Sequence, residues 1–224
     1  SAMWGDGLKS YNGSAAFTYD SIGNPLTYNN GSAYTFNWQN GRELAGGTKG
    51  TTSFAYIYNA DGLRTQKVVG NQTYTYYWQG SQLAAMTVSV NGTVTATLKF
   101  YYDSNGIPFI LDYNGTTYFY VTNLQGDVIG LATSDGAVAY YKYDAWGKII
   151  AMDAASSAPY NAITANPLRY RGYIYDNETG LYYVSSRYYD PEIGRFINAD
   201  VLIDTEIVVG FNLFAYCGNN PIIY

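Results

Sequence analysis

Carboxylates and arginines are the side chains in this 224-residue sequence that could do chemistry. Histidine is absent and Cys217 is the single cysteine. The imidazole and thiolate sets that hold zinc are therefore missing, as are the Ser-His and Cys-His pairs of nucleophilic hydrolases. No metal site or cofactor is expected, and Cys217 reads as a packed thiol. A lone thiol forms no internal disulfide and leaves the redox compartment unread. Asp190 precedes Pro191, and such a bond is labile to acid. Proline, however, presets a turn and cannot donate to a strand ladder, so Asp190-Pro191 reads as a turn. Arg169, Arg171, Arg187 and Arg195 crowd the same third of the chain. They either support an acidic active site or, the preferred reading, stack on tyrosines or pair with Asp176, Glu178 and Asp190 to lock this region.

The elements around these residues follow a repeat. Aromatic anchors stand at Tyr19, Trp38, Tyr58, Trp78, Tyr102, Tyr120 and Tyr143, with spacings of 19, 20, 20, 24, 18 and 23 residues. A second aromatic precedes each by two positions: Phe17, Phe36, Tyr56, Tyr76, Phe100, Tyr118 and Tyr141. A period near 20 signals repeated supersecondary units. Most anchors lead into a polar residue and then glycine, as in Asp20 to Gly23, Asn59 to Gly62, Asp103 to Gly106 and Asp144 to Gly147. Those residue types favour turns, so each unit reads as strand, turn, strand. Tyr175 and Tyr189 continue the punctuation. Asn91-Gly92 and Asn114-Gly115 sit between alternating β-branched residues and predict two-residue hairpins. No long amphipathic helix is evident before about residue 150. Residues 151–166 lose the alternation and read as an elaborated loop, dividing a repeat sheet (1–150) from a C-terminal segment (151–224). A short helix is expected around Phe211 to Cys217.

Composition fits an all-β chain with tight turns: 27 Tyr, 24 Gly and only 13% charged residues. With 12 Lys plus Arg and a net charge of −5, there is no basic stripe for nucleic acid. The apolar run from Ile203 to Phe214 is broken by Asp204, Glu206 and Asn212, so no membrane span is expected. Asn12, Asn30, Asn71, Asn91, Asn114 and Asn177 match the glycosylation pattern, which Asn-Gly turns followed by threonines generate by themselves. Ser1-Ala2-Met3 reads as a cloning remnant.

Phe17-Thr18-Tyr19-Asp20-Ser21-Ile22-Gly23 and Tyr141-Lys142-Tyr143-Asp144-Ala145-Trp146-Gly147 resemble the YD repeats of bacterial Rhs and wall-associated proteins, relatives of toxin-complex shells and teneurins. The C-terminal third is more specific. Arg169-Tyr170-Arg171-Gly172, then Arg187-Tyr188-Tyr189-Asp190-Pro191 and Gly194-Arg195-Phe196, are similar to the Rhs repeat-associated core. The resemblance implies antiparallel hairpins forming a curved or spiralling sheet, a β-shell fragment, with a less regular core or plug. It also implies a secreted or cell-surface protein whose C-terminal toxin or effector domain is shielded by the shell. Self-cleavage in the family is attributed to two aspartates, and Asp200 matches the first. Here Asp200 is followed by Val201-Leu202-Ile203 rather than Pro and Gly, and no second Asp-Pro-x-Gly follows. Paired carboxylates can split their pKa values into acid and base; with half of the pair missing, no enzyme activity is expected of this chain.

Three functions are therefore weighed. Encapsulation of an effector on the same polypeptide leads. Adhesion through tyrosines stacked on cell-surface glycans is the alternative, and an incomplete aspartyl self-cleaving core comes third. Neighbouring repeats, or second copies pairing through sheet edges, are further expected partners.

Overall fold

The computed structural model describes residues 7–136, 138–154, 157–200 and 212–222. The expected cloning remnant lies outside them. The chain is nearly all antiparallel β-sheet and falls into two compact units, residues 1–64 with 176–224, and residues 65–175.

In the first unit, β1 (Ser10–Tyr11) and β2 (Ser14–Ala15) form a small ribbon. A meander of consecutive strands follows: β3 (Phe17–Tyr19), β4 (Pro25–Asn29), β5 (Ala33–Gln39), β6 (Glu43–Lys49) and β7 (Thr52–Tyr58). Alternation puts Tyr28, Tyr34, Phe36, Phe54 and Tyr56 on the buried face. Their rings run in succession, Tyr28 to Tyr34 at 5.0 Å, Tyr34 to Phe36 at 5.6 Å and Phe54 to Tyr56 at 5.3 Å between centroids. Rings at these separations add to the free energy of burial itself. The same unit holds β18 (Leu181–Val184), β19 (Arg187–Asp190) and β20 (Arg195–Phe196), paired in that order. Tyr182, Tyr188 and Tyr189 on these strands are buried to 1% exposure or less.

The second unit continues strand after strand. Its strands are β8 (Arg64–Val69), which begins at the unit boundary, β9 (Gln72–Gln79), β10 (Gln82–Val90), β11 (Thr93–Tyr102), β12 (Pro108–Tyr113), β13 (Thr116–Thr122), β14 (Val128–Ala132), β15 (Val138–Tyr143) and β16 (Ile149–Ala154). The Asn-Gly turns form as predicted: Val90 faces Thr93 across Asn91 (φ 49°) and Gly92 (φ 83°), and Tyr113 faces Thr116 across Asn114 and Gly115. Positive φ at both central residues matches the right-handed twist of the flanking strands.

Two expectations need correction. Residues 151–166 are not an irregular loop: β16 runs to Ala154 and helix α1 spans Ser157–Ala165. Alanine carries the helix and Pro159 stands in its first turn, where a missing N–H costs nothing. Ala162 and Ile163 are fully buried against β14 to β16. No α-helix forms over the described part of the Phe211 to Cys217 stretch. A 3-10 turn covers Cys217–Asn219 instead, with Gly218 at φ 54° inside it; Phe211 and most of the apolar run lie outside the described residues. β17 (Ile174–Asp176) completes the elements and ends at the unit boundary.

Candidate functional site

The Tyr-Asp punctuation resolves into one loop design, formed five times among the described residues. Asp20, Asn59, Asp103, Asn123 and Asp144 each donate a backbone N–H to a carbonyl four residues on, at 2.9 to 3.1 Å. Each also accepts two backbone N–H groups on one side-chain oxygen. For Asp103 these come from Asn105 at 2.8 Å and Ile107 at 2.9 Å; for Asp144, from Trp146 and Lys148. Asn59 and Asn123 do the same through an amide oxygen. The repeat's acid is thus a turn acceptor, and its charge is not required.

The anchors Trp38, Tyr58, Tyr102 and Tyr143 are half-buried, and their polar tips reach backwards. Trp38 Nε1 donates to the Pro25 carbonyl at 2.6 Å, and the hydroxyls of Tyr58, Tyr102 and Tyr143 donate to Leu44, Leu83 and Val128 carbonyls at 2.8 to 3.0 Å. Those acceptors share one position. Pro25 faces Tyr19, Leu44 faces Trp38, Leu83 faces Trp78 and Val128 faces Thr122, beside a β-bulge each time. Every such anchor is therefore bonded to the residue that closes the preceding loop. Tyr120 is out of phase: it is buried, two residues before Thr122, and donates to Asn166 Oδ1 at 2.7 Å. Thr122 occupies the anchor register, and a threonine there hides the period from a search for aromatics. Burial pushes the Tyr19 hydroxyl up to about 12 and raises Tyr58 and Tyr102 as well.

Inward hydroxyls hold the C-terminal segment. In the first unit, Tyr28 donates to Asp190 Oδ2, Tyr34 to the Thr179 carbonyl at 2.8 Å and Tyr56 to Asp176 Oδ2 at 3.3 Å. In the second, Tyr141 donates to the Ile163 carbonyl while Tyr120 holds Asn166. The strongest tie is one that sequence reasoning missed. Arg64 and Asp176, both without exposed side-chain surface, make a two-pronged pair at 2.6 and 2.9 Å. The guanidinium carbon lies 4.6 Å from the ring centres of Tyr56 and Tyr183, a cation between two aromatic faces. A signal for it existed: Arg64 stands six residues after Tyr58, where Pro25, Leu44, Pro108, Val128 and Ile149 are apolar in the other units.

Asp190 behaves as a turn residue and more. Its Oδ1 accepts the Glu192 N–H at 2.8 Å, and Oδ2 accepts from Tyr28 and from Asn30 Nδ2 at 3.2 Å. Burial nevertheless raises its carboxyl to about 6. Pro191 is buried in the following turn, and Gly194 leads into β20, where Arg195 faces Asp190. Asp200 is 29% exposed and accepts from Arg187 Nη1 at 2.8 Å.

The arginines stack as preferred, with different carboxylate partners. Arg169 lies over Tyr141 and Tyr175, Arg187 over Phe196 at 3.6 Å and Arg195 over Phe214. Arg171 pairs with Asp127 at 3.5 Å and covers Tyr170, while its own N–H and that of Gly172 are taken by Asp127 and Arg169. Asp176 goes to Arg64, whose guanidinium lies between the rings of Tyr56 and Tyr183. Tyr189 packs 4.1 Å from Tyr216. Among the described residues no group of acidic or cysteine side chains could hold a metal ion, and no helix is long and apolar enough to cross a membrane.

This arrangement tethers and fills; among the described residues it brings no pair of carboxylates together with a nucleophile. The family model of the teneurin YD-shell matches residues 8–222. The tRNA nuclease WapA of Bacillus subtilis is 33% identical over 213 residues, 93% of this chain and 9% of that protein. The double-stranded DNA deaminase toxin A of Burkholderia cenocepacia is 41% identical over 85 residues, 38% of this chain and 6% of that protein. The Tc holotoxin pore of Photorhabdus luminescens superposes with a TM-score of 0.73 over 92% of this chain and 10% of that one, at 22% identity. The chain thus spans about a tenth of the length of WapA and of the toxin-pore chain.

Proposed function

The chain belongs to the teneurin YD-shell family, and from that membership we propose that it is the core-bearing section of an Rhs-type shell that shields a C-terminal effector. The observation that carries the proposal is the inward row of tyrosine hydroxyls bonded to residues 163–190. A sheet whose aromatic face is occupied by its own later segment is built to hold something in place. It is not laid out as an open sugar-binding groove. The residues 151–224 act in this proposal as the plug. The longer polypeptide is secreted or carried on the cell surface, as befits relatives named as toxins. The nuclease and deaminase activities in the relatives' names are assigned to regions outside the part this chain matches.

Limited proteolysis of the full native polypeptide tests the proposal. The C-terminal domain should resist protease in the intact protein and become digestible once Asp176→Ala unseats the core. Equal digestion of both would refute shielding. For self-cleavage in the longer polypeptide, the proposal assigns Asp200 with Arg187 as its partner. A cut that Asp200→Asn leaves unchanged on a gel would remove Asp200 from the mechanism.

A further inference from the structure

The sequence carries six Asn-Gly pairs, at Asn12, Asn30, Asn40, Asn91, Asn105 and Asn114. In such a pair the backbone nitrogen of glycine, with no Cβ beside it, is free to approach and attack the carbonyl carbon of the asparagine side chain. The fold treats the six differently. At Asn30 and Asn114 both reacting groups are held. Gly31 N–H donates to Asn29 Oδ1 and Gly115 N–H to Asp112 Oδ1, each at 2.9 Å. Asn30 Nδ2 donates to Asp190 Oδ2 at 3.2 Å, and Asn114 Oδ1 accepts the Thr97 N–H at 2.8 Å. Gly106 N–H donates to the Asp103 carbonyl at 3.1 Å, and Asn40 Nδ2 donates to Glu43 Oε2 at 2.8 Å. Each of these bonds opposes the approach of the two groups.

Asn91-Gly92 has none of these restraints. Both residues are exposed, and neither the Asn91 amide nor the Gly92 N–H has a hydrogen-bond partner among the described residues. Chain neighbours aside, no heavy atom lies within 4 Å of the point where a Cβ would stand on Gly92. The hairpin tip is also loosely fastened. A β-bulge between Val88 and Ser89 interrupts the β10–β11 ladder close to the turn, and β12 pairs with β11 only from Leu98 onward. The start of β11 is therefore laddered on one side alone, and Val94 is 55% exposed. Local opening of such a tip disturbs few bonds and draws on little of the global stability. Asn12-Gly13, at the turn of the β1–β2 ribbon, is open in the same way.

We propose that Asn91-Gly92 is a self-modifying site, at which the folded chain converts asparagine into isoaspartate and aspartate with water as the co-reactant. The Gly92 nitrogen gives up its proton and forms a bond to Asn91 Cγ. The Cγ–Nδ2 bond breaks, and Nδ2 leaves as ammonia with that proton. Water then opens the resulting cyclic imide at either carbonyl, and its oxygen enters the new carboxylate. Cleavage of the Cγ–N bond gives aspartate; cleavage of the backbone C–N bond gives isoaspartate, whose chain runs on through Cγ. The two-residue turn that pairs Val90 with Thr93 relies on left-handed φ at Asn91 (49°) and Gly92 (83°). A backbone longer by one carbon does not fit that turn, so isoaspartate releases the β10–β11 tip. This inference stands independently of shielding.

The test is peptide mapping by mass spectrometry of the 224-residue chain aged in mildly alkaline buffer, once folded and once in urea. Conversion is read at each asparagine as replacement of NH by O. In the folded chain Asn91 should convert at least about tenfold faster than Asn30 and Asn114, equivalent to about 1.4 kcal/mol of protection at the slower sites. In urea the six sites should converge to within about threefold, because they share the glycine and the guarding bonds are gone. Asp112→Ala, which frees the Gly115 N–H, should speed conversion at Asn114 in the folded chain about threefold or more. Equal rates at Asn91 and Asn114 in the folded chain would overturn the proposal. So would a lead of Asn91 that persists undiminished in urea, which places the preference in the flanking sequence and not in the fold, or an Asn114 rate that Asp112→Ala leaves unchanged.

Discussion

Asp190 is a carboxyl group kept in a dry site by neutral donors, and its protonation is coupled to folding. The folded chain holds this proton up to about pH 6, whereas the ordinary value is 3.8. Protonation therefore favours the folded state: stability rises as pH falls from above 6 towards 4, by on the order of 3 kcal/mol. Urea midpoints measured across that interval should show this slope in the parent and lack it in Asp190→Asn. Tyr28 works against the burial by donating to the carboxylate. Tyr28→Phe should raise the Asp190 carboxyl further and cost about 1–3 kcal/mol at neutral pH, the expense of a buried acceptor losing its donor; chemical denaturation reads that cost.

The loop after each anchor is the element on which the sheet depends, and its requirement is an acceptor, not a charge. Asp103→Asn should therefore change stability by less than about 0.5 kcal/mol, because Asn59 and Asn123 already do this work, whereas Asp103→Ala should cost about 1 kcal/mol. Thermal unfolding of the two variants separates these outcomes. The loop's glycine is tighter still at Gly147, where φ is +84° and an added Cβ would lie 2.5 Å from the Tyr170 ring. Gly147→Ala should cost at least about 2 kcal/mol, since both backbone strain and a clash with a buried ring oppose it. These loops were legible in the sequence because the chemistry is local: acceptor, donors and glycine lie within five residues. Helix α1 was not legible, since its nine residues, rich in alanine and small polar side chains, carry no clear apolar period, and its identity is settled by two buried side chains packing on β14 to β16. Thr122 was missed for a related reason, because register rather than residue type defines an anchor.

In each compact unit the sheet's inner face is sealed by a segment far away in sequence. The Arg64–Asp176 pair spans 112 positions, and no local pattern predicts such a partner even though the odd charge at Arg64 could be seen. Breaking it by Arg64→Met should cost about 3–5 kcal/mol through the stranded carboxylate, while Arg64→Met with Asp176→Leu should recover most of that. A double-mutant cycle in urea decides between stabilisation by the pair and mere avoidance of an unpaired charge. The resemblance of the C-terminal third identified the segment that seals the sheet, but which side chains seal it came only from the fold. The backward reach of Trp38, Tyr58, Tyr102 and Tyr143 to the loop before each has a consequence for how such genes change. A polymer whose monomers carry their own joint can be spliced: duplicating or deleting a stretch of about one period leaves each seam chemically identical, while half a period would leave a strand running the wrong way. The length of the sheet is thereby open to recombination.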